Sequence, residues 1–166
     1  AVNVSLTNNF KYTALHYATR HGYTEIVRIL LARPDLDLQT NVKNRETPLH
    51  IAAKHNQQEI VNLLLAHNVP YLNAQDLYNS AGLHILARNL VARFSHTTTP
   101  NEPFDSTNLS ILRFISHKDV NVNLQDNEGN TALHILCENA ITVELLSALW
   151  MREDVNLSIQ NKNGAT

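Results

Sequence analysis

Thr47-Pro48-Leu49-His50-Ile51-Ala52-Ala53, followed after a polar break by Glu59-Ile60-Val61-Asn62-Leu63-Leu64-Leu65, is the stretch that decides the fold. Its spacing predicts two short helices joined by a tight turn. Pro48 suits a first helical turn, because its missing N–H would have no intrahelical partner there. Ala52 and Ala53 let a second helix approach closely. Ile60, Val61, Leu64 and Leu65 recur at helical spacing and form an apolar stripe. Two helices this short cannot cover both of their faces, so the unit requires copies of itself.

The copies begin at Thr13-Ala14-Leu15-His16, Ala81-Gly82-Leu83-His84 and Thr131-Ala132-Leu133-His134, so that successive signatures lie 34, 34 and 50 residues apart. A second-helix pattern follows each: Glu25–Leu31, the Glu59 stretch, Ile111–Ile115 and Val143–Leu149. Extended connections run through Asp35–Leu38, Asp119–Asn123 and Asp154–Leu157.

This registered pattern resembles the ankyrin repeat family, whose period is about 33 residues with a T-P-L-H-x-A signature. The likeness covers essentially the whole chain. It implies an all-α solenoid of helix-turn-helix units with β-turn or hairpin fingers, and a concave face built from fingertips and first helices. On that reading residues 1–166 form one domain, with a partial repeat at 1–11 and repeats at about 12–45, 46–79, 80–129 and 130–164. Val2-Asn3-Val4-Ser5-Leu6 matches Val120-Asn121-Val122-Asn123-Leu124, and a further signature opens at Thr166, so the chain reads as a segment of a longer protein. The family's glycine after the second helix is replaced by Arg33-Pro34, His67-Asn68, His117-Lys118 and Arg152-Glu153, which predicts irregular repeats of marginal stability. Asparagine-rich, glycine-poor repeats also resemble ankyrin proteins that intracellular bacteria such as Legionella deliver into host cells.

Repeat three departs from the pattern. From His84 to the aligned second-helix position at Leu109 is 25 residues, against nine from His50 to Glu59, which places an insertion within Asn89–Thr107. Thr97–Pro103 reads as loop. The insertion carries Arg93, Phe94, His96 and Phe104, and insertions in repeat proteins map to loops that often border a binding face. Asp105, Ser106, Thr107 and Asn108 offer N-caps to restart the helix.

Composition narrows the function classes. A net charge of −2 argues against non-specific nucleic-acid binding, which needs clustered Lys and Arg. The longest apolar run falls far short of the roughly 20 residues of a membrane span. No N-terminal secretory pattern is visible. A single cysteine, Cys137, excludes an internal disulfide and fits a reducing, cytoplasmic setting, or a host cytoplasm or nucleus for a delivered protein.

Among nine histidines, His16, His50, His84 and His134 are the tempting constellation. Packed helices lie about 10 Å apart, whereas zinc ligands sit about 2 Å from the metal. These histidines therefore read as scaffold, and no metal, cofactor or catalytic residue is expected. In the family this histidine ties the turn together by side-chain hydrogen bonds. Cys137 reads as a buried small hydrophobe, and Trp150 with Leu146 and Leu149 as core or a repeat interface.

The family's binding positions, carried over one by one, fall on Phe10, Tyr12, Arg20, His21, Lys43, Lys54, His55, Tyr78 and Arg88, joined by Arg93, Phe94, His96 and Phe104 of the insertion. Helix ends along the concave face run Arg20, Lys54, Arg88 and then Glu138, basic over three repeats and reversed in the fourth. The expected function is that of a monomeric protein–protein interaction module for a partner with an acidic surface. The alternative is a recruiting or docking domain of a larger enzyme. The resemblance also implies that Asn121 and Asn156 occupy positions hydroxylated in some ankyrin proteins.

Overall fold

The computed structural model describes residues 3–38, 42, 44–67, 69–94, 106–138 and 143–166. Among the described residues eight helices run in four pairs: α1 (Ala14–Arg20) with α2 (Thr24–Leu31), α3 (Pro48–Lys54) with α4 (Gln58–Ala66), α5 (Gly82–Phe94) with α6 (Ser106–Ser116), and α7 (Ala132–Cys137) with α8 (Val143–Trp150). No strand occurs among the described residues. The first helices form one layer, α1 against α3, α3 against α5 and α5 against α7. The second helices form the other, α2 against α4, α4 against α6 and α6 against α8. This is an all-α ankyrin-repeat fold, as the sequence predicts.

The short helices hold because their ends are fixed locally and their faces laterally. Thr13, Thr47 and Thr131 cap α1, α3 and α7. Gly22 (φ +73°) and Asn56 (φ +55°) take the left-handed conformation that the turn within each pair demands. Leu49, Ala52, Ala53, Ile60, Val61 and Leu64 are all at most 2% exposed, so both faces of the second pair are covered by its neighbours. A buried leucine contributes about 1.5–3 kcal/mol, and a pair standing alone would forfeit much of it.

Repeat three is regular in packing and irregular only in chain length. Helix α5 has 13 residues, against seven in α3, because Asn89–Phe94 prolongs it. That part of the insertion is helix rather than loop. Leu90 enters the core, and the Asn89 side chain donates to the Ala53 carbonyl at the end of α3 (2.7 Å). Helix α6 restarts at Ser106, directly after Asp105, and residues 95–105 lie outside the described ones.

The Ala81-Gly82 departure from Thr-Pro has a packing cause. A Cβ on Gly82 would sit 3.1 Å from Cζ of Phe114 and 3.3 Å from Cγ of Leu49, both fully buried. Glycine makes room for the Phe114 ring. Gly82→Ala is therefore predicted to lower stability by about 1 kcal/mol, because overpacking of about 1–3 kcal/mol exceeds the gain in helix propensity. Urea denaturation checks this, and in a Phe114→Leu background the cost of Gly82→Ala should largely vanish.

Candidate protein-binding face

The signature histidine builds the face before any ligand is considered. In repeat two the Thr47 backbone N–H donates to Nδ1 of His50 (3.1 Å), the Thr47 hydroxyl lies 2.8 Å from the same atom, and the His50 N–H reaches back to Thr47 Oγ1 (3.4 Å). Nδ1 accepts, so the proton resides on Nε2, which donates to the Ser80 carbonyl (2.9 Å) ahead of the next first helix. His84 repeats the reach to the Leu124 (3.0 Å) and Asn130 (3.1 Å) carbonyls, and His134 to Ala165 (3.0 Å). At repeat three, where Ala81 replaces threonine, the Ala81 N–H still donates to His84 Nδ1 (3.2 Å) and only the hydroxyl arm is lost. Among the described residues no group of three or more His, Cys, Asp or Glu is placed to hold a metal.

The fingers recur on one plan. Asn8, Asp76, Asp126 and Asn161 each accept, through one side-chain oxygen, the backbone N–H groups two and four residues on, at 2.8–3.0 Å. Three residues beyond stands a left-handed residue: Lys11, Asn79, Gly129 or Gly164. Val42 takes the same place in the second finger, keeping the backbone closure to Glu46 (3.1 Å) and Arg45 (φ +59°) without a side-chain acceptor. Neighbouring fingers are bridged by Gln75 to the Gln125 carbonyl (2.9 Å) and by Gln125 to that of Gln160 (3.0 Å). Gly129 packs against the next finger, where an added Cβ would lie 3.0 Å from the Lys162 nitrogen.

Onto this frame fall the predicted binding residues. Phe10 (60% exposed) stands on the first fingertip and Tyr78 (71% exposed) on the third. Tyr12 is half-buried, its ring centroid 5.4 Å from that of Tyr17 and 5.7 Å from that of His16. Phe10, Tyr12, Tyr17 and Arg20, with Val42 and Asn44, line a concavity of about 460 Å³. Tyr17 was not anticipated from the sequence. His21 stacks on Tyr23 at 5.7 Å. His55 is held below its ordinary pKa, first by partial burial and then by the Arg20 and Lys54 charges, which ties these three groups into one neighbourhood.

The basic stripe is largely answered from within. Lys54 pairs with Glu46 at 2.9 Å, and that carboxylate is only 10% exposed. Arg88 forks onto the fully buried Asp126 side chain and the Ser80 hydroxyl. The signal was in the sequence, since Glu46 and Lys54 stand eight residues apart, as do Ser80 and Arg88. Pairs between a helix and the finger before it, as with Glu46 and Lys54, or after it, as with Asp126 and Arg88, escape a search along one face at a time. Arg20 stays exposed with no carboxylate in salt-bridge contact among the described residues. Arg93 is exposed near the end of α5. Lys43, His96, Phe104 and the Phe94 side chain lie outside the described residues.

Two expectations need correcting. Cys137 is exposed rather than buried, although Ala53 and Ala87 at its position are fully covered by the helices that follow them. Partial burial pushes its thiol pKa up, away from nucleophilic character. Of the group around Trp150, Leu149 lies in the core as expected, whereas Trp150 is 76% exposed and Leu146 38%. Asn121 and Asn156 are exposed, and each closes a local turn by accepting the N–H two residues on, both at 3.0 Å.

A family model described as ankyrin repeats (3 copies) matches residues 1–76. No curated protein matches the chain. The helix pairs beyond residue 76 keep the same histidine bridge and finger geometry. No helix among the described residues is long and apolar enough to cross a membrane.

His50 and His84 are held neutral chiefly by burial, so their folded pKa values lie below 6.5. Below about pH 6.5 the unfolded chain binds protons that the folded chain refuses, so this stability is complete above that pH and is lost on acidification. The urea midpoint should therefore fall between about pH 7.5 and about pH 5.5. His50→Gln should start lower and show a flatter slope; an unchanged slope would remove His50 from the effect.

Proposed function

We propose that the chain takes a protein partner on its concave face, anchored at the first two repeats and extended by the repeat-three insertion. Ankyrin repeats are in general protein–protein interaction modules, and the fold itself is non-catalytic. One observation carries the finer reading: the concavity where Phe10, Tyr12 and Tyr17 stand around Arg20. Aromatic and arginine side chains dominate interface hot spots, because they bring large contact area with few rotatable bonds or a planar set of donors.

The electrostatics shift the anchor toward the first repeats. Lys54 and Arg88 face carboxylates that cannot leave, since Glu46 and Asp126 are held in the fingers. Arg20, with His21 and His55 beside it, is the positive group open to an incoming acidic side chain. The partner of best fit offers an apolar or aromatic side chain for the Phe10–Tyr17 concavity and a carboxylate for Arg20. Tyr78 and the insertion residues Arg93, Phe94, His96 and Phe104 extend the contact along the array.

A binding partner captured by the intact chain separates these contributions. Phe10→Ala and Arg20→Ala should each weaken it at least about tenfold, the range of hot-spot truncation. Arg88→Ala should lower the melting temperature more than the affinity, because it strips the buried Asp126 of its cation. Replacing residues 95–105 by a short glycine–serine linker should weaken capture while leaving the urea midpoint of the repeats unchanged. Full affinity in Phe10→Ala and Arg20→Ala would remove the first repeats as the anchor, and full affinity in the linker chain would remove the insertion.

A further inference from the structure

One arginine of the concave face lacks the company that its counterpart keeps. Arg88 is answered from two places: the Ser80 hydroxyl, eight residues back (2.8 Å), and the Asp126 carboxylate in the following finger. Asp126 divides its oxygens between two tasks. Oδ1 accepts the Glu128 and Asn130 N–H groups that close the finger, and Oδ2 takes the guanidinium. Around Arg20 the same two places hold Tyr12 and Val42. Val42 is buried and apolar, so the second finger offers Arg20 a methyl surface where the fourth offers Arg88 an anion.

The surroundings say what kind of anion fits. Arg20 lines the same concavity as Phe10, Tyr12, Tyr17, Val42 and Asn44, and its volume of about 460 Å³ lies near the small end of ligand pockets. Backbone polar groups carried into such a space need partners there. The Tyr17 hydroxyl is engaged by the Asn8 amide (2.9 Å), so the charged donor is Arg20 and the amide is that of Asn44. Two neighbouring residues of an internal segment, one apolar and one acidic, bring the N–H and C=O groups of both. A chain terminus carries an apolar side chain and a carboxylate on one residue, with a single N–H that the Asn44 side-chain oxygen can accept. The field is positive beyond Arg20 itself, since His55 is held below its ordinary pKa first by partial burial and then by the Arg20 and Lys54 charges.

We propose that this concavity captures the free carboxy-terminus of a protein partner whose last residue is aromatic or large and apolar. The terminal carboxylate pairs with Arg20 as the Asp126 carboxylate pairs with Arg88, in the planar fork geometry that suits a guanidinium. The terminal side chain packs against Phe10, Tyr12 and Tyr17. This rests on the reading that the first two repeats anchor the partner, and it narrows the chemistry of what they hold.

The probes are three labelled glycine–serine peptides, titrated with the intact chain and read by fluorescence anisotropy. The first ends in phenylalanine with a free carboxylate, and the second is its carboxamide. The third holds phenylalanine followed by glutamate in mid-chain and ends in an amide. The free acid should bind saturably, more weakly as salt rises, and at least about tenfold more tightly than the other two, as loss of a charged hydrogen bond predicts. Arg20→Gln, a change to an exposed side chain, should abolish that preference. So should Val42→Asp, which gives the second finger the closing carboxylate of the fourth and with it a scaffold partner for Arg20. Equal binding of acid and amide would overturn the proposal, as would tighter binding of the mid-chain probe, a preference that survives Arg20→Gln, or binding of none of the three. A captured partner that loses affinity in Phe10→Ala and Arg20→Ala would even then keep the first repeats as the anchor, so the two readings fail separately.

Discussion

The hydrogen bond from a histidine Nε2 to a carbonyl of the next finger is the contact on which the array depends. The same ring accepts at Nδ1 from its own helix cap, so one side chain fixes the start of a helix and the position of its neighbour. Both functions demand one tautomer. A protonated ring would present a donor to the capping N–H, and burial disfavours its charge more than the nearby carboxylates, Asp76 and Glu46 for His50 and Asp126 for His84, favour it. Helices of six to nine residues are marginal alone, and here the cap and the stack are not separate contributions.

That constraint governs where charge can be used. Each finger closes on a side-chain oxygen, and in the third and fourth fingers the oxygen belongs to a buried carboxylate. A buried carboxylate needs hydrogen bonds or a cation to offset a desolvation cost of several kcal/mol, and Asp76 relies on the Tyr78 and Ser80 N–H groups. Arg88 answers Asp126, and Lys54 answers Glu46 beside the second finger. The cations that a face-by-face reading places at a partner's disposal are thereby tied to the scaffold. Around Arg20 the two partner places are uncharged, since Val42 stands in the following finger where Asp126 does and Tyr12 stands eight residues back where Glu46 does, so Arg20 stays open. A valine in place of a carboxylate at the second finger decides where the positive surface lies.

Most of the fold was legible because it rests on periodic signals. The four signatures located α1, α3, α5 and α7, and the left-handed residues in the first two pairs fell at Gly22 and Asn56, the only residues between the helices able to take that conformation at low cost. The length of α5 was not legible. Asn89–Phe94 continues a helix that the aligned repeats end, and only Leu90 in the core shows why the chain stays helical there. Tyr17 was missed because its equivalents, Ile51 and Ile135, are interior residues, so its position in the pattern reads as core. The predicted site divided along the same line. Fingertip residues such as Phe10 and Tyr78 are exposed wherever the finger forms, whereas the freedom of a cation depends on partners dozens of residues away, as with Arg88 and Asp126.

The same logic explains why Cys137 and Trp150 were misplaced. In a solenoid, burial belongs to a position only through its neighbours. Ala53 and Ala87 are buried because helices follow them, and the identical position at Cys137 has none lying over it among the described residues. A residue pattern specifies which face will stack, and it says nothing of whether a partner is there. Stability along such an array is a sum of nearest-neighbour terms, so a pair with one open face holds less firmly than one with two covered.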